Sequence, residues 1–240
     1  MRQSKSNRYK ITVITVCRNA GDVIEKTIQS VVGQDYDDME YIIVDGASTD
    51  HTMSIVKKYA EYYPIKYVSE KDSGIYNAMN KGIRMSTGDY IIFENAGDIF
   101  YDCQVISDIV RVMKNRTADI YYGNWLKKYP HHTVERREDR GKLKILLQGY
   151  MPVHQCIFSS SRLLKRYPFD ESYRIIADLD WFLKCKKNGA RFCYIDRMIC
   201  IFDGMGVSNM KRMEKIKSGE QRRCFKKHYP VLYFLRNLWL

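Results

Sequence analysis

From Ile11 to Val16 the chain is apolar apart from two threonines, and comparable runs recur at Tyr41–Val44, Lys66–Val68, Tyr90–Phe93 and Ile120–Tyr122. Runs this short and this rich in β-branched residues predict strands, and their near-continuous apolarity predicts central parallel strands covered on both faces. Between them, apolar positions recur with a helical period at about 22–32, 51–62, 75–85 and 102–115. Strand and helix alternating in this way predict right-handed βαβ crossovers and an α/β fold with a mostly parallel twisted sheet flanked by helices. Asp22 and Glu25, set before Ile24 and Ile28, read as a capping box opening the first helix.

The pattern loosens after residue 125. Residues 126–141 are polar and charged and predict a surface loop or flap. Its adjacent His131 and His132 would point apart on any regular element, so a solvated loop is favoured over a metal site. A short helix at 142–148, a strand at about 154–159, a helix from Asp178 to about Lys187 and a strand at 191–195 follow. No repeat or linker splits the chain. The organisation expected is one domain over 1–209, with a nucleotide-binding half at about 9–125 and an acceptor half at about 126–209, then an extension over 210–240.

Composition narrows the function. A chain of 240 residues, 45% hydrophobic with 5 prolines, can bury a full core. A net charge of +12 implies an anionic partner. Nucleic acid is set aside because no motif for it is present. Seven scattered cysteines without a Cys-x-x-Cys pair argue against a disulfide framework or zinc ribbon and for a reducing, cytoplasmic location. The basic N-terminal flank has no h-region, and no stretch of about 20 apolar residues exists to cross a bilayer. Between Met210 and Leu240, nine Lys or Arg face two acids, a balance of +7. Residues 230–240 add aliphatic and aromatic side chains, the composition of an interfacial anchor on an anionic membrane surface. A peripheral position on the inner face of the cytoplasmic membrane is therefore part of the expectation. A basic helix whose apolar end docks on the core is the alternative.

The chemistry gathers at strand ends. Tyr90–Phe93 runs into Glu94-Asn95-Ala96-Gly97-Asp98, an acid after a flexible Gly at the carboxyl end of a buried strand. Open α/β sheets keep their ligand crevice there, and the site suits a metal and a diphosphate. Thr15-Val16-Cys17-Arg18-Asn19 and Asp45-Gly46-Ala47-Ser48-Thr49-Asp50 end two more strands. Glu70–Gly82, leading from the third strand into a helix, supplies side chains able to bond a base or ribose, Asp72 and Asn80 among them.

In order and in register, ITVITVCRNA, YIIVDGASTDHT, SEKDSGIYNAMNKGI, TGDYIIFENAGDIF, MPVHQCIF and ADLDWFL resemble family 2 glycosyltransferases of the GT-A fold. The resemblance runs from about Lys10 to Val207 and is greatest to bacterial members that build O-antigen, capsule or exopolysaccharide. It implies an inverting transfer from a nucleotide-sugar, a UDP-sugar above all, to a hydroxyl of a glycan or of a sugar on a polyprenyl diphosphate. Asp45, Asp72 and Thr15 would then line the nucleoside pocket, with Arg18, Asn80 and Asn95 on the same donor side. Asp98 would bind Mn²⁺ or Mg²⁺. Asp178 would be the base, with Asp180 its rival, since residues i and i+2 of a helix diverge by about 200° and only one can face the sugar. His154, Gln155 and Trp181 would stand on the acceptor side, and Gly204–Ser208 would close over the donor, with Lys211 or Arg212 near the diphosphate. Asn95 and Gly97 stand where many relatives carry Asp, and Glu94 where an apolar residue is expected. A catalytically degenerate nucleotide-binding relative is therefore one alternative. A sugar nucleotidyltransferase is another, though its Gly-rich basic loop is missing from Arg18–Asp22.

Overall fold

Every side chain from Ile11 to Cys17 is buried, because this run sits in the middle of the first half of the sheet with helices above and below. The computed structural model describes residues 8–129, 131–137, 151–204 and 213–230. In chain order its elements are β1 (Ile11–Cys17), α1 (Ile24–Val32), β2 (Met39–Asp45), α2 (Thr52–Ala60), β3 (Ile65–Ser69), α3 (Ile75–Met85) and β4 (Tyr90–Phe93). There follow β5 (Ile99–Phe100), α4 (Val105–Asn115), β6 (Ile120–Lys128), β7 (Thr133–Arg136), a 3₁₀ turn (His154–Cys156) and β8 (Ile157–Ser160). The last are α5 (Ser161–Arg166), α6 (Ala177–Lys187), β9 (Phe192–Asp203) and α7 (Glu214–His228).

The strands form one curled sheet in the order β3-β2-β1-β4-β8-β6-β9-β5, with β7 added to β6. β1 lies parallel to β2 and β4, and β2 parallel to β3. The expected parallel sheet is this first half. Beyond β4 the sheet is mixed: β8 is antiparallel to both β4 and β6, whereas β6 and β9 run parallel. Parallel pairing puts the carboxyl ends of β1 to β4 on one edge, so loops distant in sequence share a crevice there. On one face α3 lies close against β1, where a side chain at Gly82 would enter the space of Ile14.

The α1 capping box does not form. Ala20 O accepts both Val23 N and Ile24 N, so a backbone turn opens the helix without a side-chain cap. Glu25 reaches outward to Tyr59 and Lys58 instead. Part of the loop expected at 126–141 is a hairpin of β6 and β7. The strand expected at 154–159 opens with the 3₁₀ turn, and α5 follows it where no helix was expected. The helix expected at 142–148 lies outside the described residues. β9 is far longer than the expected 191–195, for Asp196 and Arg197 interrupt the apolar run yet find partners. Arg197 pairs with Asp102 and Asp108 at 2.5 and 2.9 Å, and Asp196 accepts from Asn124 Nδ2 at 2.9 Å.

α7 packs on α6 through Cys224, Phe225 and His228. Lys215, Arg222 and Lys226 face solvent. Among the described residues no helix is long and apolar enough to cross a membrane.

Candidate active site

The loops after β1 and β2 are laced together. Asn19 N donates to Ser48 Oγ at 2.7 Å, and Thr49 N donates to Asn19 Oδ1 at 2.9 Å. Beside this lacing the carboxylate of Asp72 hangs over Gly46, whose missing side chain leaves it room, and the Arg18 side chain lies alongside. Asp72 is fixed by the Gly74 amide, 3.0 Å from its Oδ1. An acceptor (Asp72) and a cation (Arg18) thus flank a bare stretch of backbone, a fitting bed for a base and a phosphate.

After β4 the chain turns through Gly97 at φ +102°. An acid at 97 would be strained in that conformation, which is a backbone reason for a single Asp here. Asp98 is 7% exposed and accepts from Gln155 Nε2 at 2.9 Å. Glu94 is fully buried, and neither of its oxygens has a hydrogen-bond partner among the described residues. Burial, then the nearby charge of Asp98, pushes its pKa well above the usual range. Asp98 is thus a hard oxygen donor, and Glu94, kept protonated by burial, adds oxygens without a second charge. That donor set fits Mg²⁺ or Mn²⁺ shared with phosphate oxygens.

The third group is a chain of hydrogen bonds across the crevice. Asn95 Nδ2 lies 2.8 Å from His154 Nε2, and His154 Nδ1 lies 3.2 Å from Asp178 Oδ2. A carboxylate only accepts, so Nδ1 carries the proton and Nε2 receives the Asn95 amide. Asp178 Oδ1 faces the Leu179 amide at 2.9 Å and the Tyr76 hydroxyl at 3.2 Å. The Asp178 side chain keeps 20% of its surface exposed, so it is held on several sides and open on another. This arrangement can take a proton from a hydroxyl entering the crevice.

The structure does not bring every expected residue here. Thr15 is fully buried and bonded to Tyr41 OH at 3.0 Å. Asp45 is fully buried as well, and its oxygens are taken by the Ser48 amide and hydroxyl and by Ser69 Oγ at 2.6 Å. It shapes the loop that carries Gly46. Asn80 clamps Phe169 N and O and Glu171 rather than facing a ligand. Trp181 is buried beside Phe169. Asp180 is 3% exposed and bound by Lys227 and His228, both at 2.9 Å.

With Cys224 and His228, Asp180 places ligand-type atoms within 4.8 Å of one another. The Lys227 ammonium in their midst already supplies the positive charge. Gly204 is the last described residue of the expected closing segment; 205–212 lie outside. Sequence reasoning passed over Tyr76, whose only signal was its place in the run before Asn77. It also left Glu94 without a role.

Glycosyl transferase family 2 is the family that the chain matches, over residues 12–173. The PGL/p-HBAD biosynthesis glycosyltransferase of Mycobacterium tuberculosis (strain ATCC 25618 / H37Rv) is 28% identical over 183 residues, spanning 75% of this chain and 70% of the relative. An uncharacterized glycosyltransferase of the same strain is 27% identical over 233 residues, spanning 92% and 85%. Among solved structures, S. aureus TarS 1–349 in complex with UDP-GlcNAc aligns with a TM-score of 0.73 at 17% identity, covering 92% of this chain and 67% of that one. Mannosyltransferase PcManGT from Pyrobaculum calidifontis, in complex with GDP-Man and Mn²⁺, aligns with a TM-score of 0.65 at 21% identity, covering 97% and 65%. At these identities the likeness is one of fold, and it is the GT-A fold.

Proposed function

Starting from a chain that belongs to glycosyl transferase family 2, we propose that it transfers a sugar from a nucleotide-sugar to a hydroxyl of a glycan or polyprenyl-diphosphate-linked acceptor, with inversion at the anomeric carbon. The observation that carries this reading is the hydrogen-bonded chain Asn95–His154–Asp178, which spans the crevice beside Asp98. The donor is a UDP-sugar, a choice supported by the UDP-GlcNAc bound to TarS; GDP-Man bound to PcManGT makes guanosine the rival base.

In the proposed reaction the nucleoside lies over Gly46 between Arg18 and Asp72, with the diphosphate toward Asp98. Asp98 and the donor's phosphate oxygens would hold Mn²⁺ or Mg²⁺, which when bound neutralises charge on the diphosphate. Asp178 accepts the proton of the acceptor hydroxyl while that oxygen bonds to C1 from the face opposite the phosphate. The bond from C1 to the phosphate oxygen breaks and its electron pair leaves with the diphosphate. His154 and Asn95 hold Asp178 in line, so little reorganisation accompanies the proton transfer. Synthesis of a surface polysaccharide, carried out by a protein held peripherally at the membrane by 210–240, is the setting proposed.

Thermal melts with UDP-, GDP-, CMP- and dTDP-sugars, each with Mn²⁺, Mg²⁺ or EDTA, test the reading, because a ligand bound only by the folded state raises the midpoint. A shift of several degrees with one nucleotide class, lost in EDTA, is expected. No shift with any donor in a cooperatively melting sample overturns the proposal, and a shift without transfer of the sugar leaves a degenerate nucleotide-binding relative.

A further inference from the structure

Tyr76 has no part in the scheme above, yet its hydroxyl lies closest to the groups that hold the base. The oxygen is 2.5 Å from Ile175 O and 3.2 Å from Asp178 Oδ1. A phenol carries one proton and cannot donate to two acceptors at full strength. Burial, and then the charge of Asp178, pushes its pKa well above the usual range, so the proton stays on Tyr76 throughout. Its ring is fixed against Phe169 at 5.5 Å. The side chain is 5% exposed, so water does not replace it.

We propose that Tyr76 is a positioning residue that keeps Asp178 aimed in both of its protonation states, by turning one O–H between Asp178 Oδ1 and the carbonyl of Ile175. The inference rests on the reading of Asp178 as base. While Asp178 is a carboxylate, the O–H points to Oδ1 and stabilises the charge. After Asp178 has taken the acceptor's proton, the O–H turns to Ile175 O, and the phenolic oxygen accepts from the new carboxylic O–H. The only covalent changes are those already written: the acceptor's O–H bond is replaced by one on Asp178, and C1 exchanges its phosphate oxygen for the acceptor oxygen. Tyr76 gains and loses nothing.

The Leu179 amide also faces Oδ1 at 2.9 Å, but an N–H only donates and cannot accept from the protonated acid, so serving both states falls to Tyr76. His154 meets the other carboxylate oxygen from the 3₁₀ turn. Cys224 approaches from α7, and its thiol is pushed up to about 12 by burial and by Asp180. Asp180 itself lies around the helix from Asp178, where Lys227 neutralises it and His228 is hydrogen-bonded to it. Because Tyr76 belongs to α3, which follows the loop carrying Asp72, the same hydroxyl ties the donor half of the crevice to the base.

Tyr76→Phe keeps the ring and removes the O–H. With the full chain and its nucleotide-sugar, KM is expected to hold within about twofold while kcat falls on the order of tenfold or more. The acidic limb of the kcat profile is expected to move to higher pH, since the carboxylate loses a donor. In the same variant the Nδ1–H resonance of His154 is expected to move downfield, because charge withdrawn from Oδ1 collects on Oδ2. Site-specific 3,5-difluorotyrosine at position 76, a stronger donor, should displace both readouts the opposite way and covers the case in which the Phe variant folds poorly. A kcat loss with an unmoved limb and an unmoved His154 resonance overturns the proposal. If the wild type transfers nothing from any nucleotide-sugar, the transferase reading fails by itself, and the His154 resonance still decides whether the Tyr76 hydroxyl acts on Asp178.

Discussion

Glu94 shows what one carboxyl does when a core position turns polar. It stands one residue past β4 and two on from the buried Ile92, at a position where an aliphatic side chain needs no hydrogen-bond partner. Instead it carries an unpartnered acid whose pKa is raised by burial and by Asp98. Since the folded-state value lies above that of the unfolded chain, about 4.3, its contribution to stability is fully present only below that pH and is lost as pH rises toward the folded value. Glu94→Leu is therefore expected to stabilise the protein at pH 7 by about 1–3 kcal/mol. That corresponds to roughly 2–4 °C per kcal/mol for a chain of this size. The gain should shrink toward pH 4 in parallel thermal melts, and a lower midpoint at pH 7 would mean that the carboxyl has a partner in solution. A stabilised variant with weakened Mn²⁺ binding would show stability given up for carboxyl oxygens near Asp98.

At the scale of elements, the contact of α6 with α7 decides what Asp180 is for. Burial alone would raise its pKa, but hydrogen bonds from His228 and Lys227 outweigh burial and hold it at about 2. A depressed carboxylate stabilises the fold above its unfolded value, about 3.9, and that contribution is lost as pH falls from about 4 to 2. Asp180→Asn should cost about 3–5 kcal/mol at pH 7, the usual effect of breaking a buried pair. The difference from wild type should narrow in urea melts near pH 3. Equal stability at pH 7 would mean that α7 is held without the Asp180 contacts. Glu220 adds a second tie, accepting from the amides of Arg174 and Ile175 at 2.6 and 3.0 Å just before α6. The loop that presents Ile175 O to Tyr76 is thereby fixed from the α7 side.

Across the whole molecule, basic charge collects on the surface of the last described helix. α7 turns Lys215, Arg222 and Lys226 to solvent, and the apolar, aromatic residues 230–240 follow it in the chain. Removing 230–240 is expected to abolish most binding to vesicles of anionic lipid in a flotation assay while moving the melting midpoint by no more than a few degrees. Residual binding by α7 should fall as salt rises past about 0.15 M. Undiminished vesicle binding by the truncated chain would end the anchor reading.

The sequence by itself determined the family, the four parallel strands and the loops that meet at their carboxyl ends, because those features are written in local period and in short motifs. Asp98, His154, Gln155 and Asp178 were legible as candidates for the same reason, and the structure sets them at the crevice. Only the tertiary structure decided which acids face the crevice and which face inward. Asp178 and Asp180 are two residues apart with the same chemistry, and their surroundings separate them, with Tyr76 and His154 on one side and Lys227 and His228 on the other. Thr15 and Asn80 likewise turned inward to Tyr41 and to Phe169, partners 26 and 89 residues away. Side-chain direction follows from packing between distant segments, and local sequence does not carry that information.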